Sequence, residues 1–368
     1  MNNKIASKEI DYVKDNTNSD LNKIEFFEKD FELVGEENLL THERIYVSQS
    51  YFKDVISRLK KNKGAVIGLF FIILIVAMSI IGIYLNGNTY DSQIIEHQNL
   101  APRVQVIENI GILDGSETIQ YSSGSQKINN YLSDEGKDKG LENTYYWFGS
   151  DNLGRDIFTR TWMGTRISLY IALIAVIIDV IFGLSYGLIS GYFGGAVDNA
   201  MQRFAEILNG IPSLVIVTLL IIVLKPGLMT ITFSLMITGW IGMNRIARAQ
   251  VLKLKEQEFV LASRTLGAKK LFIIFKEILP NILGPVITNT MFSIPNAIFT
   301  EAFLAFIGLG VPAPMASLGS LISEAFKQFT VHPYMLVAPV VVLAILMLSF
   351  NMLADGIRDA FDPKMKEM

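Results

Sequence analysis

The sequence predicts an all-α polytopic membrane protein with six transmembrane helices. Of its 368 residues, 51% are hydrophobic and the mean hydropathy is +0.37, a balance that is too apolar for an ordinary soluble protein. The apolar residues are gathered into long runs, and a helix needs about 20 such residues to cross a bilayer. A membrane-spanning barrel would instead show alternating segments of about ten residues, so helices are expected.

The first predicted span is the uncharged run from Gly64 to Leu85. Five further runs follow, at 167–193, 204–224, 228–244, 283–310 and 334–353. Between the third and fourth runs lies only Lys-Pro-Gly at 225–227, which predicts a tight hairpin. The chain is thereby divided into a polar tail (1–50), a basic collar with the first span (51–87), an excursion between spans (88–163), the transmembrane core (164–357) and a C-terminal tail (358–368).

The distribution of Lys and Arg predicts the orientation. Basic residues are dense before the first span and again in the loop 245–281, whereas 88–146 contains more acids than bases. Both termini and the loop 245–281 are therefore expected in the cytoplasm, and 88–163 outside. The sequence has no cysteine, which excludes disulfides and thiol chemistry.

The segment 258–281 is the most informative part of the core. Phe259, Ala262, Ser263 and Leu266 are spaced as one face of a helix, and Leu271, Ile274, Phe275 and Ile278 repeat that spacing out of phase. The phase changes at Gly267-Ala268, which predicts a short helix, a glycine turn and a second helix ending at Pro280. Three hypotheses fit these residues: a solvated loop helix, a membrane-surface helix, or a small-residue face on which a partner protein docks.

Catalytic and nucleotide-binding motifs are not found in the sequence. His42, His97 and His332 are far apart, and no phosphate-binding loop of the G-x-x-x-x-G-K-[ST] type occurs. The chain is therefore not expected to be an enzyme. If ATP drives its function, ATP and magnesium are expected on another chain, and no nucleic-acid partner is predicted.

Several polar residues lie just before the second span, in the stretch Trp147-Phe-Gly-Ser-Asp151-Asn-Leu-Gly154-Arg155-Asp156-Ile-Phe-Thr-Arg160. Asp151 can open a turn that closes at Gly154. Arg155, Asp156 and Arg160 can form ion pairs at the membrane interface. This structural interpretation stands beside a role in the translocation path or gate.

These stretches resemble the permease subunits of ATP-binding-cassette (ABC) importers, and in particular the C-type subunit of oligopeptide and dipeptide systems. The segment at Ala262, Ser263, Gly267, Leu279 and Pro280 is similar to the family's EAA loop, and the run from Asp151 to Arg160 resembles its G-T-D-x-x-G-R-D-x-x-S-R stretch. Gly187–Gly195, Ile211–Leu214, Thr300–Val311 and Asp355–Pro363 look like further family stretches in the same order.

The resemblance implies an importer-type fold in which the EAA segment is a cytoplasmic coupling helix. It implies ATPase-coupling residues at Glu258, Phe259, Ala262, Ser263, Leu266, Gly267 and Ala268. The implied partners are a homologous second permease, two ABC ATPase subunits, an extracellular peptide-binding lipoprotein, the peptide cargo and the lipid bilayer of a bacterial plasma membrane. Nickel, glutathione or another small solute is the alternative cargo. A secondary transporter would require deep charge pairs and an inverted repeat, and no such repeat is evident.

Two acidic residues fall inside predicted spans, Asp179 and Glu301. An unpaired charge at bilayer depth costs about 2.5 kcal/mol or more, so each should face the bundle interior or water. Glu301, together with Asp151, Arg155 and Asp156, is a candidate for the translocation path or gate, and a satisfied interhelical hydrogen bond is the alternative for Glu301. Asp179 is expected to face the partner permease.

Overall fold

The computed structural model describes residues 51–121 and 124–361. The predicted tail 1–50 and most of the predicted C-terminal tail 358–368 lie outside these residues. Helices dominate the described chain, as the sequence predicts, and the only strands among these residues form one hairpin between the first two spans.

The helices are α1 (Tyr51–Lys61), α2 (Lys63–Ile81), α3 (Asp134–Asp138), α4 (Ile157–Ile178), α5 (Ser185–Phe193), α6 (Gly195–Gly210), α7 (Ser213–Leu224), α8 (Leu228–Leu254), α9 (Glu258–Thr265), α10 (Lys270–Phe272), α11 (Leu279–Leu304), α12 (Leu318–Phe326) and α13 (Tyr334–Phe361). Wide π-helical turns at Asp179–Leu184, Ile273–Ile278 and Ala305–Leu309 join α4 to α5, α10 to α11, and extend α11. Short 3₁₀ turns lie at Gly82–Tyr84, Ile95–His97, Glu108–Ile110 and Leu141–Asn143.

Within the described residues, four helical stretches are long and apolar enough to cross a membrane: Lys63–Tyr84, Ile157–Phe193, Lys270–Leu309 and Tyr334–Phe361. A fifth candidate is the pair α6 and α7, which is bent by 79°. The predicted span 204–224 is therefore two helices, broken at Ile211-Pro212 because proline lacks the N–H that a continuing helix needs. The predicted span 228–244 lies inside α8, which continues into the charged segment, and the count of six spans remains a prediction.

The second helix of the 258–281 segment does not end at Pro280, so that prediction is wrong. Pro280 lies in the first turn of α11, and the helical path runs on from Lys270 to Leu309. The N–H of Leu279 donates to the carbonyl of Ile274, so the turn preceding the proline is wide. A proline inside a helix clashes with the carbonyl of the preceding turn, and the wide turn at Ile273–Ile278 changes the backbone at this point, which explains why the helical path continues through Pro280.

Among the described residues, the three largest apolar clusters join helices to one another. The first joins α2, α4, α11 and α13 through residues such as Ile75, Phe158, Ile298 and Leu346. The second packs α5, α8, α9 and the start of α11. The third joins α4, α7 and α8 near Ile171, Val217 and Ile231.

The segment between α2 and α4 is folded. Strands β1 (Ser116–Tyr121) and β2 (Gly124–Asn129) pair antiparallel, with Ser116 opposite Asn129. A small core of Leu100, Tyr131, Leu141 and Tyr146 supports them. Helix α4 begins at Ile157, within the predicted excursion 88–163, because the side chain of Asp156 caps its first turn.

Candidate functional site

Helix α9 is a short, separate helix whose end is fixed by glycine. Gln257 is extended ahead of it, and the amides of Leu266, Gly267 and Ala268 donate back to carbonyls of the last turn. Gly267 adopts φ +80°, the left-handed conformation that glycine takes without a steric cost. The predicted break at Gly267 is therefore the point where the chain turns from α9 toward α10.

One residue anchors α9 to the transmembrane core. Val260 is fully buried and packs in the same apolar cluster as Ile273, Ile278 and Val251. The predicted stripe lies on the other side of the helix: Phe259 is 39% exposed, Leu266 is 88% exposed, Glu258, Ala262 and Gly267 are exposed, and Ser263 and Ala268 are half-buried. Val260 has no role in the predictions made from the sequence, although a β-branched apolar residue at this point of a short helix was a usable indication.

The second predicted stripe is divided by the structure. Ile274 and Ile278 are buried, whereas Leu271 and Phe275 are exposed. In the wide turn at Ile273–Ile278, the side chains point in directions that differ from those of a regular helix. Ile273 is therefore buried together with Ile274 and Ile278. The exposed apolar surface of α9 therefore continues over Leu271 and Phe275.

The exposed face of α9 has the chemistry of a protein-docking surface. Ala262, Ser263 and Gly267 are small enough to let a partner backbone approach, and Phe259 and Leu266 offer apolar contacts beside them. Arg264, Lys269 and Lys270 border this surface as exposed cations, and the ammonium of Lys270 lies 5.1 Å from the ring centroid of Phe193.

The Asp151 segment forms the predicted turn. The amide of Gly154 donates to the carbonyl of Asp151 at 3.0 Å. The Oδ1 atom of Asp151 accepts from the amides of Leu153 and Arg155, each at 2.9 Å. Gly154 has φ +69°, which this turn requires.

Two arginines beside this turn are almost completely buried. Arg155 contacts Oδ2 of Asp151 at 2.6 Å, and both Arg155 and Arg160 contact Oε2 of Glu324 on α12, at 2.9 and 3.1 Å. Arginine can be buried at modest cost only when carboxylates accept its hydrogen bonds. The cluster Asp151–Arg155–Arg160–Glu324 therefore joins the start of α4 to α12.

Asp156 does not form the ion pair that the structural interpretation of this stretch expects. Its Oδ2 accepts from the amide of Thr159 at 2.9 Å and from Nδ2 of Asn86 at 2.5 Å. Both partners are neutral, and the bond from Thr159 caps α4. Burial raises the pKa of the Asp156 carboxyl above its ordinary range. Asp156 is adjacent to Arg155 in sequence and caps α4, and its predicted place in the translocation path or gate stays a prediction.

Glu301 lies apart from that cluster, fully buried between helices. Its Oε2 accepts a hydrogen bond of 2.8 Å from the hydroxyl of Ser168 on α4, and that hydroxyl accepts from the amide of Leu318 at 3.2 Å. Oε1 has no hydrogen-bond partner among the described residues. Glu301 thus links α4, α11 and α12, and it is not grouped with Asp151, Arg155 or Asp156.

Glu324, Ser168 and Val260 complete these arrangements and were not predicted. Glu324 was not recognisable because the cluster joins it to residues far away in the sequence. A serine inside a predicted span is not distinctive, so the sequence around Ser168 gave no indication of its role. Only the expected burial of Glu301 indicated that this carboxyl needs a hydrogen-bond donor.

Comparison with known proteins decides the family. Residues 183–367 match the family described as "Binding-protein-dependent transport system inner membrane component", and residues 50–102 match the "N-terminal TM domain of oligopeptide transport permease C". The chain is 42% identical over 320 residues to the oligopeptide transport system permease protein OppC of Bacillus subtilis, covering 87% of this chain and 92% of that protein. The chain belongs to this transport family.

Two further permeases and one solved structure are also similar to the chain. The dipeptide transport system permease protein DppC of Bacillus subtilis is 40% identical, over 87% of this chain and 88% of that protein. DppC of Lactococcus lactis is 38% identical, over 94% and 100%. A solved structure of the MetNI methionine ABC transporter in an inward-facing conformation has a TM-score of 0.46 at 17% identity, covering 55% of this chain and 97% of that chain.

The family assignment confirms the resemblance found in the sequence. The chain is an α-helical, multi-pass inner-membrane permease of the ABC importer type. The family's name implies partner proteins, an ATPase and a substrate-binding protein. The individual coupling and gate residues remain predictions.

Proposed function

We propose that this chain is a non-catalytic permease subunit of an ATP-driven peptide importer. It forms half of the translocation path beside a homologous permease. Two ABC ATPase subunits, which bind ATP and magnesium, and an extracellular peptide-binding lipoprotein complete the transporter. Peptide as cargo is supported by the names of the relatives, which are oligopeptide and dipeptide permeases.

In this arrangement, both termini and α9 lie on the cytoplasmic side. The basic residues before α2 and around α9 support that orientation by the positive-inside rule. The ATPases close on ATP and move α9, and the helices joined to it pass this motion to a central cavity, so that access alternates between the two sides.

The observation that carries the proposal is the two-sided character of α9. Val260 is buried and fixes the helix to α8 and the start of α11, while Phe259, Ala262 and Leu266 are exposed on one small-residue face. A helix that is fixed on one side and available on the other can transmit a push from a partner. Neither a solvated loop helix nor a membrane-surface helix requires this anchoring together with a small-residue face.

The test substitutes this face in the assembled transporter. Ala262→Arg places a long charged side chain where a partner backbone would approach, and Gly267→Pro prevents φ +80°. Each change should abolish peptide uptake and ATPase co-purification while leaving membrane insertion intact. Ala262→Ser is the matched control, because it keeps the residue small and should retain uptake. Normal co-purification and uptake with both disruptive changes would contradict docking through α9.

A further inference from the structure

A polar cavity lies among the transmembrane helices, apart from α9 and from the Arg155 cluster. Its volume is about 540 Å³, and α4, α7, α8, α11, the wide turn after α4 and the bend between α6 and α7 contribute to its walls. Hydroxyl and amide side chains line it: Asn209, Ser213, Ser234, Thr238, Asn296 and Thr300. Apolar residues such as Ala175, Val176 and Ile241 share the wall with these polar groups, and a cavity of this size and mixed lining can hold part of a small polar molecule.

Asp179 is the acidic group of this cavity. It lies in the wide turn at Asp179–Leu184 and is 6% exposed. Its Oδ2 accepts a hydrogen bond of 2.8 Å from the hydroxyl of Ser293, which also lines the cavity. Its Oδ1 is buried and has no hydrogen-bond partner among the described residues. From the sequence, Asp179 is expected to face a partner permease; in this chain it faces α11 and the cavity.

A buried carboxyl with an unpaired oxygen favours a positively charged hydrogen-bond donor as its partner. A buried carboxylate is stabilised by a cationic hydrogen-bond donor, and ammonium groups donate up to three hydrogen bonds. Within the described residues, the cation that lines the same cavity is Arg245, which lies on the exposed side of α8 and forms no ion pair with Asp179. The carboxyl of Asp179 therefore lines the cavity without an ionic partner among the described residues, and one of its two oxygens accepts no hydrogen bond from them.

We propose that this cavity binds the primary ammonium group of the cargo in transit, with Asp179 as the acceptor and Ser293 as the residue that positions it. This inference rests on the proposed function as an importer of peptides, whose amino terminus is such an ammonium group. The hydroxyl and amide groups of the remaining wall suit the backbone of a peptide, since they can donate and accept without selecting a side chain.

A lysine side chain also carries a primary ammonium group, whereas a metal cation carries positive charge without N–H donors. Three probes separate these sources: a lysine-free peptide with a free amino terminus, its N-acetylated form, and an N-acetylated peptide that contains one lysine. Potassium chloride at matched ionic strength serves as the inorganic cation.

The experiment is site-specific labelling of the assembled transporter, without binding protein, in proteoliposomes. Dicyclohexylcarbodiimide, which modifies carboxyls in apolar surroundings, should label Asp179, and mass spectrometry would quantify the label at that residue. The free peptide should reduce the labelling of Asp179 at least about tenfold at saturating concentration, because a carboxyl that is paired with an ammonium group is shielded from the reagent. Glu301 is the internal control, because it is buried outside the cavity and any label there should be unaffected by peptide.

The results separate the hypotheses. Protection by the free peptide and not by its lysine-free acetylated form supports recognition of the amino terminus, and protection by the acetylated lysine peptide as well supports any primary ammonium. Equal protection by the free peptide and by its lysine-free acetylated form, protection by potassium alone, or no labelling of Asp179 would overturn the proposal.

Uptake distinguishes this inference from the proposed function. Asp179→Asn keeps the hydrogen bond with Ser293 and removes the charge, so KM for the free peptide should rise about tenfold. Glu206→Gln on the exposed surface of α6 is the control and should not change KM. If the wild-type transporter takes up no peptide with ATP, the proposed function fails. If uptake occurs and Asp179→Asn leaves both KM and peptide protection unchanged, only the inference about Asp179 fails.

Discussion

The guanidinium of Arg155 and the carboxylate of Glu324 lie 2.9 Å apart, and 169 positions separate them in the sequence. Their ion pair ties the segment before the second span to α12, the short helix that precedes the last span. Arg160 uses the same carboxylate oxygen. Glu324 and Asp151 together therefore balance the charges of the two buried arginines.

Removing the charge of Glu324 should destabilise this junction. Glu324→Gln leaves Arg155 and Arg160 with Asp151 as the remaining carboxylate. The expected loss in the free energy of unfolding is about 1–3 kcal/mol, below that of a fully buried pair because the Glu324 side chain is 41% exposed. Thermal unfolding of the purified protein in detergent would measure it. Glu206→Gln, which breaks a solvent-exposed pair with Arg203, should cost almost nothing, and equal losses in the two variants would contradict a special role for Glu324.

The conformation of Gly267, and not the space around it, should determine which residues can replace it. A β-carbon added at this position would have no atom within 4 Å, so a side chain would meet no clash. Gly267→Val should still impair uptake, because a β-branched residue at φ +80° costs more than the roughly 1–2 kcal/mol of other residues. Gly267→Asn should retain most uptake, since asparagine tolerates this region. If both variants behaved alike in uptake assays, backbone conformation would not be the determining property.

Substitution of Glu301 distinguishes a hydrogen-bonding role from a charge-dependent role. Glu301→Gln keeps an acceptor oxygen for Ser168, so protein stability and uptake should both be preserved. Glu301→Leu removes the acceptor and should lower the free energy of unfolding by about 1–3 kcal/mol. Stability would be followed by thermal unfolding and uptake in proteoliposomes. Loss of uptake in a stable Glu301→Gln protein would instead place the charge in the translocation path.

Mild acid should loosen the folded segment between α2 and α4. Burial lowers the pKa of His97 below 6.5, and its Nδ1 lies 2.7 Å from the hydroxyl of Tyr146. Because the unfolded state binds the proton more readily, the stabilisation is present above the unfolded pKa and is lost as the pH falls from 6.5 through the lowered pKa of His97. Hydrogen exchange at Leu100, corrected for intrinsic rates, should therefore be faster at about pH 5.5 than at about pH 7.5.

Replacing the histidine provides the control for that experiment. His97→Gln has no ionisable ring, so the corrected exchange rate at Leu100 should lose most of its pH dependence. An unchanged pH dependence in this variant would assign the effect to a group other than His97.

Much of the helical framework could be predicted because long apolar runs permit few structures in a bilayer. The stripe on α9 and the turn at Gly267 were also predictable, since both depend on residues close in sequence. The hydrophobicity of 204–224 suggested one span, but the local effect of Pro212 produced a bend of 79°. At Pro280 the opposite occurred, because the wide turn at Ile273–Ile278 accommodates the proline and the helical path continues.

The polar contacts between distant segments were the least predictable. Arg155 and Asp156 are adjacent in sequence, yet one pairs with α12 and the other caps α4. Nothing in their local pattern separates these roles, because the partners Glu324 and Asn86 are brought near only by the packing of the helices. Much of the helical framework could thus be derived from the spacing and the length of the apolar runs, whereas the pairing of buried charges depends on the tertiary structure.

The continuous helical path from Lys270 to Leu309 has a mechanical consequence. Its 40 residues would span about 60 Å at the rise of a regular α-helix. One end begins three residues after Gly267, and the other ends beside Gly308, whose φ of +90° breaks the regular backbone. Two wide turns and the internal Pro285 and Pro295 interrupt the regular helix along the way. A displacement of α9 would therefore bend the path at these points instead of tilting it as one straight body.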